Sequence, residues 1–230
     1  MKRKYIDRFF LKMESRNNIY REQDIIQLRN LANSKNPEVR IRVAELLCTC
    51  EQDFVEKILF NMTFDKDELV RTHAVDSLGV GSQIESLGRL RTLMESEKSW
   101  LVRFYAVLSY VDVYSNIYDL KLKKKELVTE LEALLNKEKE KHVKISYYEV
   151  LYCLENRRYI DELMFLLNES IDKNNGTLTW HILHSLENIL DNGMDSKCID
   201  YLKKIELRLN DAQKKYFQTV LKSKFLFDNM

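Results

Sequence analysis

Apolar residues recur at every third or fourth position along most of the chain, and the stretch from Asp67 to Gly79 shows this pattern most clearly. Val70, Ala74 and Leu78 are four residues apart, so they lie on one stripe of an α-helix. Asp67 precedes them at a position where a carboxylate can accept hydrogen bonds from the free N–H groups of a first turn. Gly79 follows where such a helix ends. The stretch therefore predicts one amphipathic helix.

The same frame occurs five more times along the chain. Its starting residues and stripe residues are Asn36 with Val39, Val43 and Leu47; Ser99 with Val102, Ala106 and Tyr110; Glu140 with Val143, Tyr147 and Leu151; Asn175 with Leu178, Ile182 and Leu186; and Asn210 with Gln213, Phe217 and Leu221. The copies follow one another at intervals of 31 to 41 residues. Such a period is typical of repeats built from helical pairs, so we expect a preceding helix for each copy.

These repeats predict a single domain over residues 1–230. Residues 1–18 are expected to form a capping helix that covers the apolar side of the first repeat with Ile6, Phe9, Phe10 and Met13. Residues 19–114 contain the best-matching repeats, and residues 121–230 contain divergent repeats and a carboxy-terminal cap. The longest interval lies between the third and fourth copies. We therefore expect an insertion or hinge around residues 114–125.

The frame resembles the second helix of a HEAT repeat, whose pattern is Asp-x-x-Val-Arg-x-x-Ala-x-x-x-Leu-Gly. The resemblance is close at 67–79, clear at 36–48 and 99–111, and weaker after about residue 140, where Lys144 and Tyr147 replace the arginine and the small residue. It implies an all-α fold: a right-handed α-α superhelix of about six helical pairs, in the armadillo-like helical class.

The composition agrees with helices that each keep one wet face, since 45% of the residues are hydrophobic, 32% are charged, and only one is proline. The chain contains no run of about 18 apolar residues, and charges interrupt the basic amino terminus, so we expect a cytoplasmic protein that does not enter a membrane. Four scattered cysteines fit reduced thiols. An abundance of Lys, Asn, Ile and Tyr suggests a bacterial source.

The candidate binding site comes from helix positions opposite the core stripe, which lie two, six and nine residues after the first stripe residue. In HEAT repeats this side of the second helix generally lines the concave surface. Here it carries unusually many large apolar residues, and such surfaces tend to be contact sites. The predicted partner-binding residues are Phe104, Leu108, Val111, Ile145, Glu149, Tyr152, Trp180 and His184. The alternative is that neighbouring helices, or a carboxy-terminal helix, bury these side chains.

Residues with catalytic or metal-binding spacing are scarce. His181 and His184 are three residues apart on a predicted helix, but the sequence offers no convincing third ligand. Phosphate loops, nucleophile elbows and His-Glu-x-x-His helices are absent from the sequence. We therefore expect no enzyme activity, no cofactor and no metal.

One enzymatic alternative rests on Trp100-Leu101-Val102-Arg103, which is similar to a stretch of the HEAT-like alkylpurine DNA glycosylases. Those enzymes hold DNA on a basic concave surface. Acidic residues outnumber basic ones around 51–97 and 149–200, which disfavours nucleic acid.

The main functional hypothesis is a non-enzymatic protein-interaction module that binds another protein or peptide in its concave groove. Adaptor, regulatory and antitoxin-type scaffolds all fit this description. We expect the protein itself to be a monomer.

Overall fold

The computed structural model describes residues 2–15, 20–48, 53–154, 157–191 and 196–225. These residues form thirteen α-helices and one short 3-10 turn, and no strand occurs among them. The all-α prediction is therefore confirmed.

The helices correspond to a leading helix followed by six pairs. They are α1 Lys2–Glu14, α2 Glu22–Ala32, α3 Pro37–Leu47, α4 Asp53–Met62, α5 Glu68–Ser77, α6 Ile84–Ser96, α7 Trp100–Ile117, α8 Leu120–Leu135, α9 Lys141–Cys153, α10 Tyr159–Asp172, α11 Gly176–Asp191, α12 Ser196–Glu206 and α13 Asp211–Phe225. The 3-10 turn Leu78–Val80 extends α5.

The start of each second helix is stabilised by the predicted capping residue. Asn36, Asp67, Ser99, Glu140, Asn175 and Asn210 each accept a hydrogen bond from a first-turn N–H group, at 3.0 to 3.3 Å. Each favoured cap contributes about 1 kcal/mol of helix stability. Glu140 is not a preferred capping residue, yet its carboxylate occupies the same position.

The stripe residues of these six helices form the core. Every one whose side chain is described is buried, from Val39 in the first copy to Phe217 in the last. The large Tyr147 is only 1% exposed although it stands where the pattern expects a small residue. Leu221 lies outside the described side chains. Burying each large apolar side chain contributes roughly 1.5–3 kcal/mol, which explains why the stripe predicts the packing.

The chain divides into two compact units, residues 1–123 and 124–230. The boundary lies near the predicted insertion at 114–125. However, the segment is mostly helical, because α7 continues to Ile117 and α8 begins at Leu120. The single domain over 1–230 stays a prediction.

Unit 1 has two layers of helices. Second helices α3, α5 and α7 pack side by side, and α2, α4 and α6 each pack against the second helix of the same pair. Helix α1 packs on α3 and buries Phe9, Phe10 and Met13. The Arg42 guanidinium of α3 lies 4.2 Å from the centre of the Phe10 ring and also pairs with Asp7. Helix α1 thus covers the first repeat.

Arginines at the position after the first stripe residue connect the repeats of unit 1. Arg40 donates to both carboxylate oxygens of Asp65, at 2.7 and 2.8 Å, and to the Ser34 carbonyl at 2.7 Å. Arg71 donates to the Asp65 carbonyl at 3.0 Å and to Glu97 at 3.1 Å. Each arginine therefore joins the turn before its own helix to the turn of the next repeat.

Unit 2 also contains second helices that pack side by side. Helix α11 packs between α9 and α13, and α10 packs against both α9 and α11. The turn between α10 and α11 contains Asn174 in the left-handed region, with φ of 51°. Asparagine tolerates this conformation better than most residues. In the described part of the chain, no helix is long and apolar enough to cross a membrane.

Candidate functional site

The eight predicted partner-binding residues are divided between the two units. Phe104, Leu108 and Val111 lie on α7 in unit 1. The other five lie in unit 2, with Ile145, Glu149 and Tyr152 on α9 and Trp180 and His184 on α11. A continuous groove formed by all eight residues stays a prediction.

Four of these side chains are buried by the protein itself. Phe104, Ile145, Glu149 and Tyr152 are between 0 and 7% exposed. The binding-site prediction requires accessible side chains, and these four are not accessible. The alternative, in which neighbouring helices bury them, describes their position. The physical reason is that a helix with neighbours on several sides buries more than one stripe: in α9 every residue from 145 to 152 is buried.

Glu149 has a structural position rather than one at the edge of a groove. Its carboxylate accepts a hydrogen bond from Ser185 Oγ at 2.5 Å and one from Asn188 Nδ2 at 2.9 Å, both on α11. These bonds connect α9 to α11 and compensate the desolvation of the carboxylate. Burial, together with the Glu149 charge, raises the pKa of the nearby free thiol of Cys153 to about 11.

In unit 1, the accessible candidates are Leu108 and Val111, which are half-buried on α7. One turn further along the same side of the helix is Asp112, and the neighbouring second helix α5 presents Asp76. Both carboxylates line an open polar cleft next to the 3-10 turn, together with Ser82, Ser115 and Asn116. We call the surface formed by Glu45, Asp76, Leu108, Val111 and Asp112 the acidic face.

The cleft of the acidic face depends on two features of the 3-10 turn. A Cβ atom on Gly79 would lie 3.2 Å from Asp112 Oδ2, so glycine lets the carboxylate approach the turn. The Asn116 side chain donates to the carbonyl oxygens of Gly79 and Gly81, at 3.2 and 2.9 Å. Helix α7 is thereby tied to the end of α5.

The acidic groups of this face influence one another's titration. Burial raises the pKa of Asp76, and His73 only partly opposes this effect. The pKa of Asp112 is raised by burial and then by the charge of Asp76. Burial, Asp76 and Glu45 likewise raise the pKa of the Cys48 thiol, and a hydrogen bond between this thiol and the Cys48 backbone opposes the shift only in part. Three consecutive second helices therefore place negative charge on one surface.

In unit 2, the accessible candidates are Trp180 and His184, which form an aromatic cluster with Tyr216 of α13. The Tyr216 ring centre lies 5.1 Å from Trp180 and 4.8 Å from His184. The Tyr216 hydroxyl donates to Glu187 and lies 2.6 Å from His184 Nδ1. Burial and Glu187 raise the pKa of Tyr216.

Tyr216 was not among the residues predicted from the sequence. It lies three positions after Gln213, so it falls outside the positions that mark the side opposite the core stripe. Its long side chain nevertheless reaches α11. No position of the repeat frame marks Tyr216 as a candidate.

The two histidines of α11 make separate contacts within unit 2. His181 Nδ1 lies 3.0 Å from the Thr177 carbonyl of its own helix, and its ring packs edge-on against His142. Burial and the charge of His142 lower the pKa of His181. Among the described residues, no three His, Cys, Asp or Glu side chains are grouped to hold a metal ion.

Comparison with known families identifies part of unit 1. Residues 26–110 match the family model described as HEAT repeats. This range includes α3, α5 and most of α7, which carry the first three copies of the frame. HEAT repeats are generally protein-interaction scaffolds. No curated protein matches the chain.

Proposed function

We propose, from the premise that residues 26–110 are a HEAT-repeat region, that this protein is a non-enzymatic interaction module. In this proposal, the acidic face of unit 1 binds a basic, amphipathic segment of another protein. The observation that carries the proposal is that Asp76 and Asp112 line one open cleft, while the partly accessible Leu108 and Val111 lie within one turn of Asp112 on α7.

The two carboxylates support a basic partner because their ionised forms are disfavoured in the isolated protein. A lysine or arginine placed in the cleft would favour the charged forms and would gain charge-assisted hydrogen bonds. A buried group whose ionised form is disfavoured lowers the stability of the fold, and such residues are common at functional sites. Leu108 and Val111 would supply the apolar contact that a charged pair at a surface lacks.

Unit 2 offers a second surface of its own. Trp180, His184 and Tyr216 are partly accessible, and tryptophan and tyrosine are enriched among residues that dominate binding energy. Trp180 and His184 thus remain predicted partner contacts. Phe104, Ile145, Glu149 and Tyr152 would act by holding the helices in place.

An adaptor, a regulatory subunit and an antitoxin-type scaffold would all use such surfaces without turnover. We propose a cytoplasmic monomer for the free protein. Double-stranded DNA is a poorer partner, because the acidic face repels phosphates. Arg103 of the glycosylase-like stretch donates to the Glu97 carbonyl at 2.8 Å and so has a role within the repeat.

Affinity capture with matched variants tests the proposal. Leu108→Asp adds a charge to the acidic face, and Ile84→Asp adds the same charge at an exposed position of α6 in the same unit. We expect stoichiometric partners of the wild-type protein to be lost with Leu108→Asp and retained with Ile84→Asp, as measured by quantitative mass spectrometry. Equal capture by all three proteins would contradict the proposal.

A further inference from the structure

We infer that a pocket between α2 and α4 binds a small organic anion, meaning a carboxylate or phosphate group on an apolar body about the size of one aromatic ring. The pocket belongs to the layer of first helices in unit 1, whereas the acidic face is carried by the second helices. The inference is independent of the proposed function. We call this site the α2–α4 pocket, defined by Arg29, Asn33, Lys57, Asn61 and Met62.

The floor of the α2–α4 pocket is apolar. Ile58 and Met62 of α4 line it with side chains that are only 5% and 4% exposed, and Ala32 of α2 completes it. The volume is about 340 Å³. This is at the lower end of the range of small-molecule sites, which is about 300–1,000 Å³. A single ring or a short branched chain would fill it.

The rim of the pocket carries two cations and two amides in matching positions. Arg29 lies on α2, and Asn33 caps the end of this helix, where its amide donates to the Arg29 carbonyl at 2.8 Å. Lys57 and Asn61 are one turn apart on α4. Among the described residues, neither Arg29 nor Lys57 has an ion-pair partner. Each side chain has a length that lets its charged end lie over the floor while its methylene groups cover apolar surface.

Asp65, which also lines the pocket, does not cancel the charge of this rim. Its carboxylate is already held by two hydrogen bonds from Arg40, at 2.7 and 2.8 Å, and accepts the Asp67 N–H at 2.9 Å. Burial by itself would raise the pKa of Asp65, but these bonds outweigh it and the pKa is lowered. Arg40 therefore neutralises Asp65, and the rim keeps the positive charge of Arg29 and Lys57. An oxyanion bound there would receive charge-assisted hydrogen bonds.

Titration of the full-length protein with simple probes tests the inference. Phenyl phosphate and phenylacetate each combine an oxyanion with one ring, whereas inorganic phosphate and benzyl alcohol each provide only one part. With methyl-labelled protein, we expect saturable NMR shifts of Met62 and Ile58, with Met94 unchanged, for at least one of the two combined probes. The probe with the larger affinity identifies the preferred head group. Inorganic phosphate and benzyl alcohol should each bind at least about tenfold more weakly.

A matched pair of double variants separates the pocket from general charge effects. Arg29→Gln with Lys57→Gln removes the rim cations, and Lys98→Gln with Lys121→Gln removes the same charge from exposed positions elsewhere in unit 1. The first variant should bind the combined probe at least about tenfold more weakly, and the second should bind it like the wild type. The inference would be overturned if neither combined probe binds, if the half-probes bind equally well, or if both variants behave alike.

Discussion

At the scale of single residues, Arg71 shows how one side chain connects two repeats. Its guanidinium bonds to the turn before its own helix and to Glu97 in the next repeat. The Arg71 and Glu97 side chains are both largely shielded from solvent, so removal of the guanidinium would leave the Glu97 carboxylate without its cationic partner and with only the Ser99 N–H at 3.0 Å. We expect Arg71→Ala to reduce the free energy of unfolding by about 2–3 kcal/mol in urea denaturation.

Arg91 provides the control for this prediction. It pairs with Glu95 one turn away on α6, and this pair is more exposed. Surface pairs of this kind contribute about 0.3–0.5 kcal/mol. If Arg91→Ala destabilised the protein as much as Arg71→Ala, the connecting role of Arg71 would be refuted.

The carboxylates of the acidic face predict a pH dependence of stability. Because the folded-state pKa of Asp112 is raised, its contribution to stability is fully present below the unfolded-state pKa and is lost as pH rises through the folded-state pKa. At neutral pH the ionised group therefore destabilises the fold. Asp112→Asn should stabilise the protein at pH 7 by less than about 1 kcal/mol, since the side chain is partly exposed and solvent screens its charge.

Thermal unfolding as a function of pH measures this effect. The difference between Asp112→Asn and the wild type should disappear near pH ~3, where aspartate is protonated in both states. In a protein that carries Asp76→Asn, the stabilisation by Asp112→Asn should be smaller, because the charge of Asp76 contributes to the raised pKa of Asp112. A wild type that is more stable than Asp112→Asn at pH 7 would disprove this account of the acidic face.

The sequence predicts individual residues well only where their role is local. Five of the six caps were predicted from a favoured residue type, with Glu140 as the exception, since a cap depends on the few residues that follow it. The burial of Phe104 and Ile145 was not predicted, because it depends on neighbouring helices that are far away in the chain. The roles of Asp65 and Glu97 also depend on another repeat and are not visible in a single copy of the pattern.

At the scale of elements, the start of α6 depends on a glycine. Glu56 of α4 accepts the N–H groups of Ser82 and Gln83, both at 3.0 Å, just before α6 begins. A Cβ atom on Gly81 would lie 2.5 Å from Glu56 Oε1 and 3.0 Å from the Leu78 carbonyl. Gly81→Ala must therefore displace either the carboxylate or the turn, and we expect a loss of about 1–3 kcal/mol in thermal unfolding.

Gly88, in the middle of α6, is the matched control. Nothing lies within 4 Å of a Cβ built on it, so alanine would only add helix propensity. Gly88→Ala should stabilise the protein by about 0.5–1 kcal/mol. Equal effects of the two substitutions would show that the contact between Gly81 and Glu56 is unimportant.

Helix positions were predictable because the apolar stripe and the caps agree. The main difference concerns α8, which begins at Leu120, inside the segment 114–125 that the sequence predicts as an insertion or hinge. The lysines at 121–125 fall in the predicted insertion or hinge because the interval between the third and fourth copies is the longest. They are helical nevertheless, since lysine is a good helix former on an exposed face.

At the scale of the whole molecule, a net charge of +1 hides a local separation of charge. The acidic face of unit 1 is negative, while the α2–α4 pocket of the same unit has a positive rim. The HEAT-repeat region could be predicted from three copies of one pattern, because repeated contacts between neighbours define such folds. The sequence does not predict which candidate side chains are accessible, because accessibility depends on how closely adjacent second helices pack.

Selection of random linear peptides on the immobilised full-length protein tests the central claim most directly. The account predicts that recovered peptides place lysine or arginine beside an apolar residue, and that their affinity falls with added salt. It also predicts at least about tenfold weaker binding to the Asp76→Asn, Asp112→Asn double variant. Peptides without basic residues, or equal affinity for the wild type and this variant, would contradict the claim that the acidic face binds a basic partner.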